Sequence, residues 1–185
     1  MTTEDSFFPK GYEVATNTSK YAKIEKDKEL KIRILSKPII WFEYFMADKK
    51  PNRSRTRFEK LINPAISPFT GEEVKQSEFW AFTCYNYWTK NIEIFQTTKT
   101  QIKNAIMNLY MDADFWEPTK YDLKIKKTGE KTDTVYHVTP ISMTPISKEI
   151  QELFEKTPVN LEALFDWKDP FSTIKDEISI EDNPF

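Results

Sequence analysis

The stretch EFWAFTCYNYWTKNIEIFQT, residues 78–97, has the strongest strand pattern in the chain. Two runs of aromatic and β-branched residues flank Thr89, Lys90 and Asn91, which predicts two antiparallel strands joined by a turn. If the turn has an even number of residues, one face carries Ala81, Thr83, Tyr85, Tyr87, Ile92 and Ile94, and the other carries Trp80, Phe82, Asn86, Trp88, Glu93 and Phe95; an odd number would change the pairing. Because the second face holds the charged Glu93, we expect it to meet solvent.

Other strand patterns and one helical pattern lie on either side of this hairpin. LKIRIL, residues 30–35, alternates with period two, so Leu30, Ile32 and Ile34 point inward and Lys31 and Arg33 outward. IIWFEYF, residues 39–45, resumes an extended run, TKTQIKNAIMNLY, residues 98–110, has helical spacing, and YDLKIKK and TVYHVTPI form a second hairpin. This order predicts a mainly β fold: a five-stranded OB-fold barrel with one helix before its last hairpin.

The predicted barrel occupies residues 20–145 and contains a long basic loop at residues 46–77. Residues 1–19 are predicted to be a flexible N-terminal arm. The helical spacing in SKEIQELFEK predicts a helical segment over residues 146–167, and residues 168–185 form an acidic tail that ends in EDNPF. A chain of 185 residues is long enough for one such domain with extensions and short for two.

The net charge of −2 conceals a segregation of charge along the chain. Residues 20–131 hold 22 lysines and arginines against 15 acidic residues, whereas residues 132–185 hold 4 lysines against 11 acidic residues. A basic body followed by an acidic end indicates a body that binds a polyanion and a tail that competes for the same surface.

Cations and aromatic rings lie near each other in the predicted fold, the arginines in the basic loop and most of the rings in the hairpin that follows it. A positively charged groove with rings on which bases stack is the usual means of binding single-stranded nucleic acid. Three of the four arginines lie inside the basic loop, in the five-residue stretch 53–57. The candidate phosphate-binding residues are Lys31, Arg33, Lys49, Lys50, Arg53, Arg55 and Arg57, and the candidate stacking rings are Trp41, Trp80, Phe82, Tyr85 and Trp88. A solvated loop and a strand core rich in aromatic residues would explain the same pattern, and we expect part of the rings to be core.

The residues needed for catalysis or for a metal site are sparse. One cysteine, Cys84, and one histidine, His137, exclude an internal disulfide and a zinc site built from cysteine and histidine. Asp112 and Asp114 are more typical of a turn at the end of a helix than of a metal-binding pair, and no glycine-rich phosphate loop is present. The longest apolar run, PIIWFEYF, is too short to span a membrane. We predict a protein that is not an enzyme and has no cofactor, metal or membrane segment.

The succession LKIRILSKPIIWFEYF, FWAFTCYNYWTKNIEIFQTT, a helix, YDLKIKKTGEKTDTVYHVTPI and an acidic end resembles the OB-fold single-stranded DNA-binding proteins of tailed bacteriophages. The resemblance implies sequence-independent binding of single-stranded DNA in replication, recombination or repair, in the cytoplasm of a bacterial host, and leaves open a homo-oligomer. The end EDNPF is similar to the acidic Pro-Phe ends of bacterial single-strand binders, with Asn183 in place of an acid. It implies a tail that recruits replication or recombination proteins through Asp176, Glu177, Glu181, Asp182, Pro184 and Phe185.

Two other functions fit the same residues. An RNA-binding OB module would use the same stacking and phosphate contacts. A protein-interaction adaptor would keep all its rings in the core and bind an acidic partner with the basic loop. Only measurements of binding separate these readings.

Overall fold

The computed structural model describes residues 20–172, so the predicted N-terminal arm and most of the predicted tail lie outside the described residues. The described part is mainly β and has two α-helices. Its elements are β1 (Glu29–Ile34), β2 (Ile39–Phe45), β3 (Pro51–Ser54), β4 (Ser77–Asn86), β5 (Asn91–Thr97), α1 (Thr100–Met111), β6 (Asp122–Thr128), β7 (Val135–Pro140) and α2 (Lys148–Lys156). Short 3-10 turns occur at Pro118–Lys120, Lys131–Asp133 and Leu161–Leu164.

The strands form one antiparallel sheet in the order β3-β2-β4-β1-β6-β7, and β5 lies on the other edge of β4. β2 and β1 pair with successive parts of β4, at residues 77–81 and 84–86. Within residues 20–172 no pairing joins β5 to β7, so the described sheet is open. It has seven strands where five were predicted, partly because β3 forms inside the segment predicted as a loop.

The main core lies between one face of the sheet and α1. The predicted alternation in β1 is confirmed on this side, because Leu30, Ile32 and Ile34 are all buried there. Ile102 and Ile106, one helical turn apart, bring α1 onto the same core. Phe82, Phe95, Leu123 and Ile125 supply the side chains of β4, β5 and β6.

The β4–β5 hairpin has a four-residue turn at residues 87–90, and its even length gives the two predicted faces. The prediction for solvent was wrong, because the face with Glu93 belongs to the main core through its neighbours Phe82 and Phe95. Glu93 tolerates burial because Asn86 Nδ2 and Thr89 Oγ1 donate hydrogen bonds to its carboxylate, at 2.8 and 2.6 Å. A buried charge with matched hydrogen-bond donors avoids most of the desolvation cost.

The segment predicted as a long basic loop is held by many hydrogen bonds, and Tyr44 makes three of them. The buried hydroxyl of Tyr44 donates to the carbonyl oxygen of Ile62 at 3.1 Å and accepts from the Ile62 amide at 3.0 Å and from Asn52 Nδ2 at 3.1 Å. β3 pairs with β2 at the start of the segment, where Arg53 faces Glu43. The first two arginines of the segment are therefore held on or next to a strand.

A second apolar cluster covers the other face of the β4–β5 hairpin. It joins Trp41, Phe79, Ala81 and Ile94 of the sheet to Leu161 and Leu164 near the C-terminus. We call residues 159–172 the C-terminal strap. Its ends are held together, because the amide of Asn160 donates to the carbonyl oxygen of Pro170 at 2.8 Å. Residues 168–172, predicted as the start of the tail, therefore belong to the packed body.

Candidate nucleic-acid interface

Arg53, on β3, is the centre of the cationic cluster and is fixed in place. Its Nε donates to Glu43 Oε2 at 3.1 Å, and its Nη1 donates to the carbonyl oxygen of Leu164 in the strap. Its guanidinium carbon lies over the rings of Trp41 and Phe79, at 5.2 and 5.5 Å from the ring centroids. Two hydrogen bonds and the ring contacts leave Arg53 little freedom, so it serves first as a structural link between sheet and strap.

Arg55 and Arg57 follow β3 and are exposed. Arg55 forms a two-pronged ion pair with Glu162 of the strap and lies 4.8 Å from the ring centroid of Phe165. Arg57 lies 5.3 Å from the ring centroid of Phe42. Both guanidinium groups are open to an incoming phosphate, although Arg55 would have to exchange one anion for another.

Lys49 and Lys50 occupy the turn between β2 and β3 and are exposed. Lys49 adopts a left-handed backbone conformation with φ of 64°. The ammonium of Lys50 is 3.9 Å from the carboxylate of Asp48, a distance that gives a weak surface pair. The turn therefore places two solvated cations on the same strand pair as Arg53.

The structure places three of the five candidate rings in the interior. Trp41 is 0% exposed, and Trp80 and Phe82 are also buried, so these rings leave too little accessible surface for a base to stack on them. Trp41 stacks instead on Phe79, at 4.6 Å between centroids and 9° between ring planes. The three rings are buried because each side of the hairpin is covered, one by α1 and the other by the strap.

The two remaining candidate rings are partly or fully accessible. Tyr85 is half-buried and meets Tyr87 edge to face at 5.0 Å. Trp88, in the β4–β5 turn, is 67% exposed and has the ammonium of Lys28 5.9 Å from its ring centroid. Trp88 lies beyond the C-terminal end of β4, whereas the arginines lie beside its N-terminal end, so the structure does not bring them together.

Arg33 was predicted to point into solvent, and this prediction was wrong. It is 2% exposed, because Asp122 faces it across the β1–β6 pair and Thr144 covers it from the chain beyond β7. Its Nε donates to Asp122 Oδ1 at 2.5 Å, and Nη1 and Nη2 donate to the carbonyl oxygen and Oγ1 of Thr144 at 3.0 Å each. A residue bound on three sides within the fold is not available to a phosphate.

Lys31 shares the same carboxylate and is half-exposed. Its ammonium is 3.0 Å from Asp122 Oδ2 and 3.9 Å from the ring centroid of Tyr87. Tyr87 in turn donates its hydroxyl to Asp122 Oδ1 at 3.0 Å. Burial, followed by the hydrogen bond to the Asp122 carboxylate, raises the pKa of Tyr87 to about 12. Asp122 is therefore the hub of a polar network, in which one carboxylate pairs with both Lys31 and Arg33.

The strap belongs to the candidate interface, and no pattern in the sequence pointed to it. Its apolar residues seal Trp41, and its carboxylates meet cations of the body at Arg55 and at Lys20, whose ammonium is 3.2 Å from Asp169. The apolar pattern of NLEALFDW is present in the sequence, but the pattern does not indicate which surface of the protein it covers. Trp167, at the outer side of the strap, is 59% exposed, and the guanidinium carbon of Arg53 lies 3.8 Å from its ring centroid.

An open groove runs beside Arg57, between β2 and α1. Two adjoining cavities of about 490 and 600 Å³ form it and share Trp80 and Met107 as walls. Arg57 lies at one end, and the other end carries the exposed Trp116, with the ammonium of Lys120 4.7 Å from its ring centroid. The groove thus adds accessible rings and cations next to the arginine cluster.

Within residues 20–172, no group of three or more His, Cys, Asp or Glu side chains is placed to hold a metal ion. In the same part of the chain, no helix has the length and apolar character needed to cross a membrane. Comparisons with protein-family models, with curated proteins and with solved structures found no match.

Proposed function

We propose that this chain is a non-enzymatic, sequence-independent single-stranded DNA-binding protein that acts in phage DNA replication, recombination or repair. The observation that carries the proposal is the arginine cluster. Arg53 lies on β3, Arg55 and Arg57 follow this strand, and each of the three guanidinium groups lies over an aromatic ring. Phosphates need positively charged donors and bases need flat surfaces, and this cluster offers both within a few residues.

We also propose that the sheet is an OB-type barrel. If β1 and β2 are counted as one strand interrupted at residues 36–38, the strand order becomes that of the five-stranded fold, with α1 before the last hairpin and β3 as an addition. The chain at residues 20–27 supports closure, because it makes a parallel bridge to β5 at Ile94 and another to β6 at Lys127. OB barrels bind oligonucleotides with one sheet face and the adjoining loops.

The proposed path of the bound single-stranded DNA follows the accessible cations and not the buried rings. Lys49, Lys50, Arg55 and Arg57 are exposed on or after the β2–β3 pair, and the groove towards Trp116 continues from Arg57. The face of the β4–β5 hairpin, which an OB protein would use, is covered by the strap. The single-stranded DNA would therefore run along the edge of the strap.

The test is a comparison of fluorescein-labelled oligo(dT), a matched duplex and a matched RNA by fluorescence anisotropy at low salt. We expect oligo(dT) to bind and the duplex to bind at least tenfold more weakly, since paired bases present no free faces. Equal affinity for RNA would move the proposal to the RNA-binding alternative. Absence of binding to both single-stranded DNA and RNA at low salt would refute the proposed function.

One observation favours a second candidate function, an adaptor for acidic polypeptides. Arg55 and Lys20 already bind carboxylates of the strap, so the cationic surface accepts an acidic chain. This candidate predicts that an acidic peptide binds by calorimetry while oligo(dT) fails to bind at every salt concentration. The two functions therefore give opposite results in one pair of titrations.

The tail residues Asp176, Glu177, Glu181, Asp182, Pro184 and Phe185 lie outside the described residues, and their recruiting role is part of the proposal. A chain ending at Ser172 keeps the strap and removes four of these carboxylates together with Phe185. We expect its affinity for oligo(dT) at low salt to rise about fivefold, equivalent to about 1 kcal/mol of screened ionic contacts. Capture of replication proteins from an infected-cell lysate should be lost. Unchanged affinity and unchanged capture would remove the tail from the mechanism.

A further inference from the structure

Trp167 has a backbone conformation that is rare for a large side chain. Its φ is 62°, in the left-handed region, directly after the turn formed by residues 161–166. The amides of Asp166 and Lys168 both donate to the carbonyl oxygen of Ala163, at 3.2 and 2.9 Å, and so close the turn around it. At this position after a helical turn glycine or asparagine is usual, and a bulky residue there is strained. A tryptophan at this position therefore lowers the stability of the fold unless its ring offsets the strain.

Burial of the ring does not offset that strain. Leu161 and Leu164 of the same turn are buried in the second apolar cluster, whereas Trp167 remains 59% exposed. The only ring contact of Trp167 among the described cation-ring and ring-ring contacts is with Arg53, at 3.8 Å. The turn thus holds a large flat ring at the surface, with one face on a guanidinium group and the other towards solvent.

Arg53, on which this ring rests, is itself held in place. Its hydrogen bonds to Glu43 and to the carbonyl oxygen of Leu164 tie β2, β3 and the strap together beneath Trp167. Behind Arg53 lie Trp41 and Phe79, which are buried and stacked on each other. The guanidinium of Arg53 therefore lies beside this buried pair, 5.2 and 5.5 Å from the two ring centroids, and supports Trp167 on its outer side at 3.8 Å. A ring fixed in advance loses little conformational entropy when a second flat group stacks on it.

We propose that Trp167 is a nucleobase-stacking residue of the single-strand site, an assignment that rests on the proposed function. Two exposed cations lie near the ring: Lys168 follows Trp167 in the chain, and Arg55 lies against Phe165 of the strap. Both can contact the phosphates of a nucleotide whose base covers the ring. Stacking on tryptophan accepts any base, since every base has a flat face. The strap is therefore a working part of the interface as well as its cover.

Trp167→Gly separates the role of the ring from the role of the backbone. Glycine adopts the left-handed conformation without strain, so the thermal midpoint should stay the same or rise, while the affinity for oligo(dT) should fall about 5- to 150-fold. Trp167→Asn, which also tolerates this conformation and lacks a ring, should give the same loss. Trp88→Ala is the matched control: Trp88 is 67% exposed and has a lysine, Lys28, over its ring, but it lies beyond the C-terminal end of β4, away from the arginines and from the proposed path.

The readouts are anisotropy with labelled oligo(dT) and the fluorescence of an oligonucleotide with one 2-aminopurine, which stacking on tryptophan quenches. We expect the wild type to bind and to quench, both Trp167 variants to bind more weakly and to quench less, and Trp88→Ala to change little. Equal binding and quenching by the wild type and the Trp167 variants would overturn the assignment and leave the proposed function standing. If the wild type itself failed to bind at low salt, the proposed function and this assignment would both fall.

Discussion

Replacing Asp122 with alanine is expected to lower the free energy of unfolding by about 3 to 5 kcal/mol, the usual cost of removing one partner of a buried ion pair. The variant would leave Arg33 almost fully buried, with only Thr144 as a partner. It would also remove the acceptor of the Tyr87 hydroxyl and the anion next to Lys31. Because small domains have only about 5 to 15 kcal/mol of stability, this loss would put the fold near its limit.

Urea denaturation followed by circular dichroism measures this loss. Glu29→Ala is the matched control, because the Glu29 carboxylate pairs with Lys124 at the surface, 2.9 Å away, and its removal should cost less than about 1 kcal/mol. Arg33→Met should cost less than Asp122→Ala, since Lys31 would still neutralise Asp122. A loss below about 1 kcal/mol for Asp122→Ala would mean that solvent reaches Arg33 in solution.

The affinity for oligo(dT) is expected to fall about 20- to 100-fold between 50 and 200 mM salt if about three to five phosphates are neutralised, because each contact with a single strand contributes about −0.7 to the logarithmic slope. The exposed cations of the β2–β3 region provide contacts in that number: Lys49, Lys50, Arg55 and Arg57. A salt series of anisotropy titrations gives the slope. A flat response would exclude phosphate contacts as the main source of affinity.

Arg57→Ala identifies where those contacts are. Arg57 is exposed and has no ion pair among the described salt bridges, so its removal should reduce the magnitude of the slope by about 0.7 and weaken binding at low salt. Lys26→Ala is the control, because Lys26 pairs with Glu130 at the far end of β1. An equal change of slope in both variants would indicate a diffuse charge effect and no defined path.

Sequence reasoning predicted the parts of the fold that depend on local pattern. The hairpin at residues 78–97, the inward residues of β1 and the helix with Ile102 and Ile106 all follow from side-chain periodicity, and all are present. Periodicity says which side chains share a face, but it does not say what covers that face. Arg33 illustrates the limit, since it was placed on the correct face of β1 and was still predicted wrongly as exposed.

The candidate site was predicted less well than the fold, for the same reason. The arginines at residues 53–57 were identified from composition; Arg53 lies on β3, and Arg55 and Arg57 follow directly after that strand. Trp41, Trp80 and Phe82 were identified as rings of the right kind, but they are buried by partners that lie far away in the sequence. Trp167 was not predicted as a stacking residue. That assignment depends on its backbone conformation and on its contact with Arg53, and no sequence pattern indicates either of them.

Residue type and short-range order were enough to predict the strands other than β3, the helix α1, the alternating faces and the separation of a basic body from an acidic end. Which cations and rings reach solvent depends on the tertiary packing. Trp41 and the strap residue Leu164 are more than 120 positions apart in the chain and lie in one apolar cluster. Exposure is a property of such long-range packing, since a side chain is removed from water only by whatever the rest of the chain places over it.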